Sequence, residues 1–351
     1  MSPTPGISVD EMKSRPAKVT RDFLSPIPSH LLTTTLSDIM GQTPSSPSPD
    51  LISSPSMAQL SKPGLLPAGH MLVYFPLQTP ASQLSADAAD ADHAPSAEFG
   101  KRLWAGGELH FCSRSEGGDG GSSLENQGLV MDGRPWTCRE GIEQVKVRGS
   151  GKEEKYFVDL RRTYGLGHRE GDEAGRRPEE WDISEKRTLV FMRKPDDSDP
   201  PPPPPKLTKY PHPANYSVPL LPTPTHLFHF SALTYNAHSI HIDPLFAKSD
   251  GHRALLVHGP LSLSLMLRAL ADHLGSSTTN GGGDQQQQQR LSHFVYRNYA
   301  PLYVGERASV NVRYVGAREG ERKYDVWVEG PEGGVAVKGT ATVEMVQKSK
   351  L

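Results

Sequence analysis

The segment ALLVHGPLSLSLMLRAL, residues 254–270, constrains the fold more than any other part of the chain. It predicts a helix from Gly259 to about Leu274, with Pro260 in the first turn, where a missing N–H breaks no hydrogen bond. Its apolar side chains face nearly every direction around the helix: Leu261, Leu263, Leu265, Met266, Leu267 and Leu270. Because other elements must enclose such a helix, we expect it to lie in the core.

Four segments with alternating apolar residues follow this helix: SHFVYRNYA, RASVNVRYVG, YDVWVEG and GVAVKGTATVEMV. Glycine-rich turns separate them, which predicts an antiparallel meander with one buried face. The residues expected on that face are Val310, Val312, Tyr314, Tyr324, Val326, Val328, Val335, Val337 and Ala341. The expected architecture of the C-terminal half is therefore a sheet wrapped around one buried helix.

The N-terminal half contains four candidate strands, at 101–111, 143–149, 155–164 and 187–193. They are consistent with a second copy of the same sheet-and-helix unit that has enlarged loops. The expected fold class is thus α+β, with two antiparallel sheets that each wrap around a buried central helix. Three stretches are predicted to be surface insertions: 82–98, 113–124 and 275–289.

Composition suggests where these units begin and end. Six consecutive prolines at 200–205 predict a stiff, extended linker over residues 194–212. The Ser/Pro-rich stretch 41–56 cannot bury a core, so residues 1–60 are expected to form a largely flexible arm. The remaining units are then an N-terminal unit (61–193), a C-terminal unit (213–347) and a short tail (348–351).

The charge balance gives no electrostatic basis for binding nucleic acid or an anionic membrane, because 38 basic residues face 40 acidic ones. No membrane span is expected, since the most apolar run is interrupted by polar side chains such as His258 and Arg268. Two cysteines, Cys112 and Cys138, form no disulfide framework and suit a reducing compartment.

The sequence ends in Ser349, Lys350 and Leu351, a tripeptide that the peroxisomal import receptor reads. This ending predicts a peroxisomal protein that has the import receptor as a partner.

Candidate chemistry is concentrated in FSALTYNAHSIHID, residues 230–243, just before the apolar helix. Histidine can accept and return a proton near neutral pH, so we expect His241 to be a general base. Asn236 lies five residues earlier, and a short helical turn would point both side chains inward. At the start of the helix, the N–H of Gly259 can stabilise a negatively charged oxygen, such as that of a thioester enolate.

YNAHSIHID followed by LVHGPL resembles the hydratase motif of the MaoC-like, hot-dog-fold dehydratases. The resemblance is strongest to the fungal hydroxyacyl-thioester dehydratase type 2 group and to mesaconyl-CoA hydratases. LLPAGHMLVYFP, KRLWAGGELHF and WDISEKRTLVFMR also resemble that group, so the similarity covers roughly residues 20–347. The resemblance implies a double hot-dog fold in which the N-terminal unit is non-catalytic, and water addition to thioesters without a metal or redox cofactor.

The resemblance places the family's catalytic histidine on His241 and its carbonyl-binding N–H on Gly259. The family's commonest partner is an aspartate, whereas this chain has Asn236, which can hydrogen-bond a water but cannot take up its proton. His238, His258 and Arg297 are candidates for substrate binding, Arg297 through coenzyme A phosphates. A zinc site from the clustered histidines lacks a spacing such as HExxH, so no metal is expected.

The leading hypothesis is a hydratase or dehydratase that interconverts 2-enoyl-CoA and (R)-3-hydroxyacyl-CoA in peroxisomes. An alternative is a mitochondrial dehydratase of 3-hydroxyacyl-carrier-protein thioesters. An alternative of another class is a catalytically silent acyl-thioester-binding protein, which Asn236 motivates. Two hot-dog units in one chain permit a monomer, and a homodimer stays open.

Overall fold

The computed structural model describes residues 8–42, 64–112, 128–166, 181–193, 207–278 and 288–346. The strands in these ranges are β1 Lys18–Phe23, β2 Gly64–Leu65, β3 Lys101–Phe111, β4 Val130–Met131, β5 Pro135–Arg148, β6 Lys155–Leu166, β7 Ile183–Met192, β8 Tyr216–Leu220, β9 Gln288–Asn298, β10 Ala308–Arg318, β11 Glu321–Glu329 and β12 Val335–Val346. The α-helices are α1 Val9–Lys13, α2 Pro26–Ile39, α3 Pro224–Thr234, α4 Pro244–Ser249 and α5 Gly259–Thr278.

Ten of these strands form one antiparallel sheet in the order β1-β5-β6-β7-β3-β9-β12-β11-β10-β8. Each half of the chain contributes five neighbouring strands, and β3 pairs with β9 where the halves meet. The register there runs from Gly106 opposite Arg297 to His110 opposite His293. The two sheets expected from the sequence are therefore joined edge to edge, in a double hot-dog arrangement.

The helix α5 confirms the prediction of an enclosed central helix. It begins at Gly259 as expected and continues to Thr278, one turn beyond Leu274. Its six predicted apolar side chains, Leu261 to Leu270, are all fully buried. Burying one such side chain stabilises the fold by about 1.5–3 kcal/mol, so this helix anchors the C-terminal half.

The predicted inward face of the meander is buried with one exception, Tyr314. The Tyr314 ring packs on Tyr324, with 5.5 Å between ring centroids, but it remains 43% exposed. The β10–β11 register shifts immediately after it, between Tyr314 and Gly316. A register shift of this kind marks a β-bulge, so Tyr314 is the last residue of the regular in–out alternation and lies at the end of the buried face.

Residues 8–42 differ from the flexible arm expected over residues 1–60. The strand β1 pairs with β5 along its whole length, from Lys18 opposite Glu140 to Phe23 opposite Pro135. The helix α2 buries Leu32, Leu36 and Ile39 in the main core. These side chains form an apolar stripe three to four residues apart, and α2 packs into the core against α3 and α5.

Several expectations concern residues outside the described ranges. They are the proline run at 200–205, the insertion at 113–124 and the C-terminal tail with Ser349, Lys350 and Leu351. Neither cysteine forms a disulfide, and Cys138 is buried whereas Cys112 is partly buried. In the described ranges, no helix combines the length and apolar character needed to cross a membrane.

Candidate active site

A cavity of about 1510 Å³ lies where the two halves of the chain meet. The C-terminal half contributes the segment that follows α3 and the start of α5, including Asn236, His238, His241 and Gly259. The N-terminal half contributes β3 through Arg102 and Trp104, together with residues of the loop before it. Three of the predicted site residues, Asn236, His241 and Gly259, are thus brought to one cavity wall.

His241 ends a short 3₁₀ turn, Ser239–His241, and its ring is fixed by a backbone hydrogen bond. Nδ1 donates to the carbonyl oxygen of Leu256 at 2.8 Å, so the proton of the neutral ring lies on Nδ1. Nε2 makes no hydrogen bond to any residue in the described ranges. The hydrogen bond to Leu256 therefore selects the tautomer in which Nε2 can accept a proton.

The neighbouring imidazoles keep His241 neutral. Burial and the nearby His258 and His238 rings lower the pKa of His241 well below 6.5. The His241 and His258 rings stack, with 3.7 Å between centroids. Burial also lowers the pKa of His258 to about 3, and Nε2 of that ring lies 2.9 Å from the Ser231 hydroxyl. Two neutral, stacked imidazoles suit a site that must take up a proton.

Gly259 begins α5, where the first N–H groups of a helix have no intrahelical acceptor. A Cβ atom at this position would lie 2.8 Å from Cγ of Trp104, closer than real side chains pack. Trp104 cannot easily retreat, because its Nε1 donates to the Tyr296 hydroxyl at 2.8 Å and its carbonyl oxygen accepts from Asn298 Nδ2 at 2.6 Å. Only glycine fits between the helix start and this indole.

Asn236 follows the C-cap of α3, Tyr235, whose backbone is left-handed with φ 53°. The Asn236 side-chain oxygen accepts from the His238 backbone N–H at 3.1 Å. This bond orients the side chain and leaves its amide group available for a water or a substrate hydroxyl. Asn236 can therefore position a hydroxyl group but cannot exchange a proton with it.

The three substrate-binding candidates have different surroundings. His238 is buried and lines the cavity. His258 is fully buried behind His241 and does not line the cavity. Arg297 is exposed and lies over the Tyr299 ring, 5.5 Å from its centroid. The cavity wall includes Asn298 but not Arg297, because neighbouring side chains point to opposite faces of β9.

The zinc alternative receives no geometric support from the described residues. The ligand atoms of His238, His241 and His258 do not gather closely enough among the described residues to hold one ion. A group of potential ligand atoms does occur elsewhere, on Glu108, His110 and His293 at the β3–β9 junction. There Lys186 Nζ lies 3.0 Å from the Glu108 carboxylate, so a cation already neutralises that acid.

Sequence reasoning missed the residues that the N-terminal half contributes. The strand KRLWAGGELHF contains no predicted site residue, although its Arg102 and Trp104 line the cavity. The stretch 82–98 was expected to be a surface insertion, yet Asp87 and His93 in it are buried. The available signal was weak, because short polar loops rich in Ala and Asp are usually exposed.

The buried histidines predict that stability falls as the pH is lowered. Burial lowers the pKa of His70 to about 4 and that of His258 to about 3, while the unfolded chain binds those protons near pH 6.5. As the pH falls, the unfolded state therefore binds protons before the folded state does. For each of these two histidines, the free energy of unfolding should decrease by about 2 kcal/mol between pH 7 and pH 5. Urea denaturation at the two pH values measures this loss.

The His258→Gln variant is the control for this prediction, because glutamine keeps a donor and acceptor near Ser231 but does not titrate. Its loss of stability between pH 7 and pH 5 should be smaller than that of the wild type by about 2 kcal/mol. Equal losses in both proteins would contradict a buried neutral His258.

Comparison with known proteins identifies the family of this chain. The family model for hydroxyacyl-thioester dehydratase type 2 matches residues 69–304, which include the cavity residues of both halves. Mesaconyl-C(4)-CoA hydratase of Chloroflexus aurantiacus is 35% identical over 127 residues, 36% of this chain, and the match spans only 38% of that protein. The mitochondrial hydroxyacyl-thioester dehydratase type 2 of Schizosaccharomyces pombe is 26% identical over 262 residues, covering 71% of this chain and 77% of that protein.

Solved structures agree on the fold. A MaoC-like dehydratase from Phytophthora capsici superposes with a TM-score of 0.57 at 15% identity, covering 98% of this chain and 100% of that one. The family model matches one continuous range that spans parts of both halves and includes the His241 segment and the start of α5. This match establishes the family of the chain. The chain belongs to the hydroxyacyl-thioester dehydratase type 2 family, whose activity is that of a hydro-lyase.

Proposed function

We propose that this protein interconverts 2-enoyl thioesters and (R)-3-hydroxyacyl thioesters by adding or removing water. The observation that carries the proposal is the fixed tautomer of His241. Its Nδ1–H is held by Leu256 at 2.8 Å, which leaves Nε2 free at the wall of the cavity that the start of α5 also lines. A neutral base beside a helix N-terminus is what proton removal next to a thioester carbonyl requires.

In dehydration, His241 Nε2 takes the proton from the carbon next to the thioester carbonyl. The negative charge that develops on the carbonyl oxygen is stabilised by the N–H of Gly259 and by the dipole of α5. Asn236 hydrogen-bonds the hydroxyl group on the next carbon and orients it for departure as water. Hydration follows the same steps in reverse, and none of these residue roles calls for a metal or redox group.

The carrier of the acyl group is proposed to be coenzyme A. This choice is supported by the relative named mesaconyl-C(4)-CoA hydratase, whose name specifies a CoA thioester. The second candidate is an acyl-carrier-protein thioester in mitochondria, which the relative named mitochondrial hydroxyacyl-thioester dehydratase type 2 favours. The C-terminal tripeptide Ser349, Lys350 and Leu351 motivates the peroxisomal assignment, and the S. pombe relative motivates the mitochondrial one.

A substrate panel tests the proposal. We expect purified protein to hydrate crotonyl-CoA, longer 2-enoyl-CoAs or mesaconyl-CoA, and to act on the same acyl groups at least tenfold more slowly when carrier protein replaces coenzyme A. Faster turnover of carrier-protein thioesters would favour the mitochondrial candidate. Absence of turnover on every thioester by protein with a cooperative unfolding transition would instead favour a silent acyl-thioester-binding protein.

The compartment is tested with the untagged chain, detected by antibody, because a tag at either end could mask a targeting segment. In the peroxisomal case, deleting residues 349–351 should release the protein into the cytosol. Mitochondrial signal with and without these residues would overturn the peroxisomal assignment.

A further inference from the structure

A loop of the N-terminal half reaches into the catalytic segment of the C-terminal half through Asp87. The Asp87 carboxylate Oδ2 lies 3.3 Å from Nε2 of His238, and both side chains are buried. The Asp87 carbonyl oxygen also accepts from the Ser239 backbone N–H at 2.9 Å. These two groups are 151 residues apart in the chain, so only the assembled fold brings them together.

The contact between Asp87 and His238 bears on a proton that the proposed reaction needs and for which no donor has been named. Departure of the substrate hydroxyl as water needs a proton, and Asn236 cannot supply one. His238 lines the cavity next to Asn236, and its ring lies 5.7 Å from the His241 ring, measured between centroids. Nδ1 of His238 makes no hydrogen bond within the described ranges, whereas Nε2 is directed at Asp87. His238 therefore has one ring nitrogen held by Asp87 and one ring nitrogen available to a substrate.

We propose that His238 is the second catalytic acid and base of this site and that Asp87 is its positioning residue. The assignment rests on the proposed hydratase function. In dehydration, the C–H bond next to the carbonyl breaks and its proton goes to His241 Nε2. The C–O bond of the hydroxyl breaks, the His238 imidazolium gives its Nδ1 proton to that oxygen while Nε2–H stays bonded to Asp87, and water leaves as the C=C bond forms. One proton is gained by His241 and one lost by His238, so the charge of the site is conserved.

The surroundings of Asp87 keep it ionised for this role. Burial alone would raise the pKa of its carboxyl group, but hydrogen bonds from His238 and from the Ser85 hydroxyl outweigh burial and hold the pKa well below its usual range. Arg102, which lines the same cavity, adds a positive charge nearby. An ionised carboxylate bonded to one ring nitrogen stabilises the imidazolium form and fixes its orientation, as in other Asp–His pairs.

The test compares Asp87→Asn, Asp87→Glu and His238→Gln with the wild type on the best enoyl-CoA substrate. Asparagine keeps the size of Asp87 and loses its charge, so kcat should fall about 100-fold with KM within threefold of the wild type. Asp87→Glu should recover at least part of this loss, because the carboxylate is restored. His238→Gln can still donate to Asp87 but cannot transfer a proton, and its kcat should also fall about 100-fold.

Asp92→Asn provides the matched control, since Asp92 lies in the same loop, is exposed and forms its ion pair with Lys18. It should change kcat by less than twofold. Thermal unfolding of every variant separates loss of fold from loss of chemistry. Wild-type kcat in folded His238→Gln would overturn the assignment while leaving the hydratase proposal intact. Absence of turnover by the wild type would overturn the hydratase proposal and, with it, the assignment.

Discussion

Replacing His241 with asparagine is expected to lower kcat for enoyl-thioester hydration by about 10²–10⁴-fold, the range typical for loss of a positioned general base. Asparagine is the informative substitution, because its amide nitrogen can occupy the place of Nδ1 and keep the hydrogen bond to Leu256. What disappears is Nε2, the only part of the ring that is proposed to touch substrate. The assay is initial-rate hydration of the best enoyl-CoA over a range of concentrations.

A second histidine serves as the control for this experiment. His229 lies on the exposed side of α3, one residue from the cavity residue Phe230. His229→Asn makes the same chemical change and should alter kcat by less than twofold. If His241→Asn retained more than a tenth of wild-type kcat, then His241 would not be the base, and the chemistry would have to be reassigned to another group in the cavity.

Gly259→Ala is expected to reduce kcat/KM by about 10²–10³-fold, the effect of losing one oxyanion donor. The added methyl group would lie 2.8 Å from Cγ of Trp104, so either the indole or the first turn of α5 must move. Overpacking of this kind should also lower the free energy of unfolding by about 1–3 kcal/mol. Steady-state kinetics and urea denaturation measure the two effects on the same samples.

The same helix offers a matched control at Gly275, where an added Cβ would meet no atom within 4 Å. Gly275→Ala should leave activity unchanged and stabilise the protein by about 0.5–1 kcal/mol, because alanine favours a helix more than glycine does. A further variant, Gly259→Ala with Trp104→Leu, should regain stability by removing the clash. Full activity of Gly259→Ala with unchanged stability would contradict the proposed role of the helix start.

Much of the C-terminal half could be predicted because its signals are local. The all-round apolar character of α5 and the alternation in β10 to β12 each depend on neighbouring residues, and burial in the core follows directly from them. Tyr314 is the exception because it lies at the end of the regular alternation, directly before a β-bulge. The proposed base and the start of α5 could be found in the same way, since His241 and Gly259 are only 18 positions apart.

The N-terminal half resisted prediction because its roles depend on long-range contacts. The apolar stripe of α2 is short and lies beside a Ser/Pro-rich stretch, so the sequence of residues 8–42 resembles that of a flexible arm. Asp87 lies in a loop whose composition resembles a solvent-exposed insertion, and nothing near it in the chain signals a partner histidine. Pairing of β3 with β9 likewise has no local signature, since either strand could have been an edge strand.

The β3–β9 junction also determines how the site responds to dilution. In an assembly of separate subunits, a cavity formed by two halves would come apart as the protein concentration fell below the dissociation constant. Here both halves are tethered in one chain, so their mutual effective concentration is fixed by the covalent connection and not by the amount of protein. We therefore expect specific activity to stay constant down to nanomolar protein.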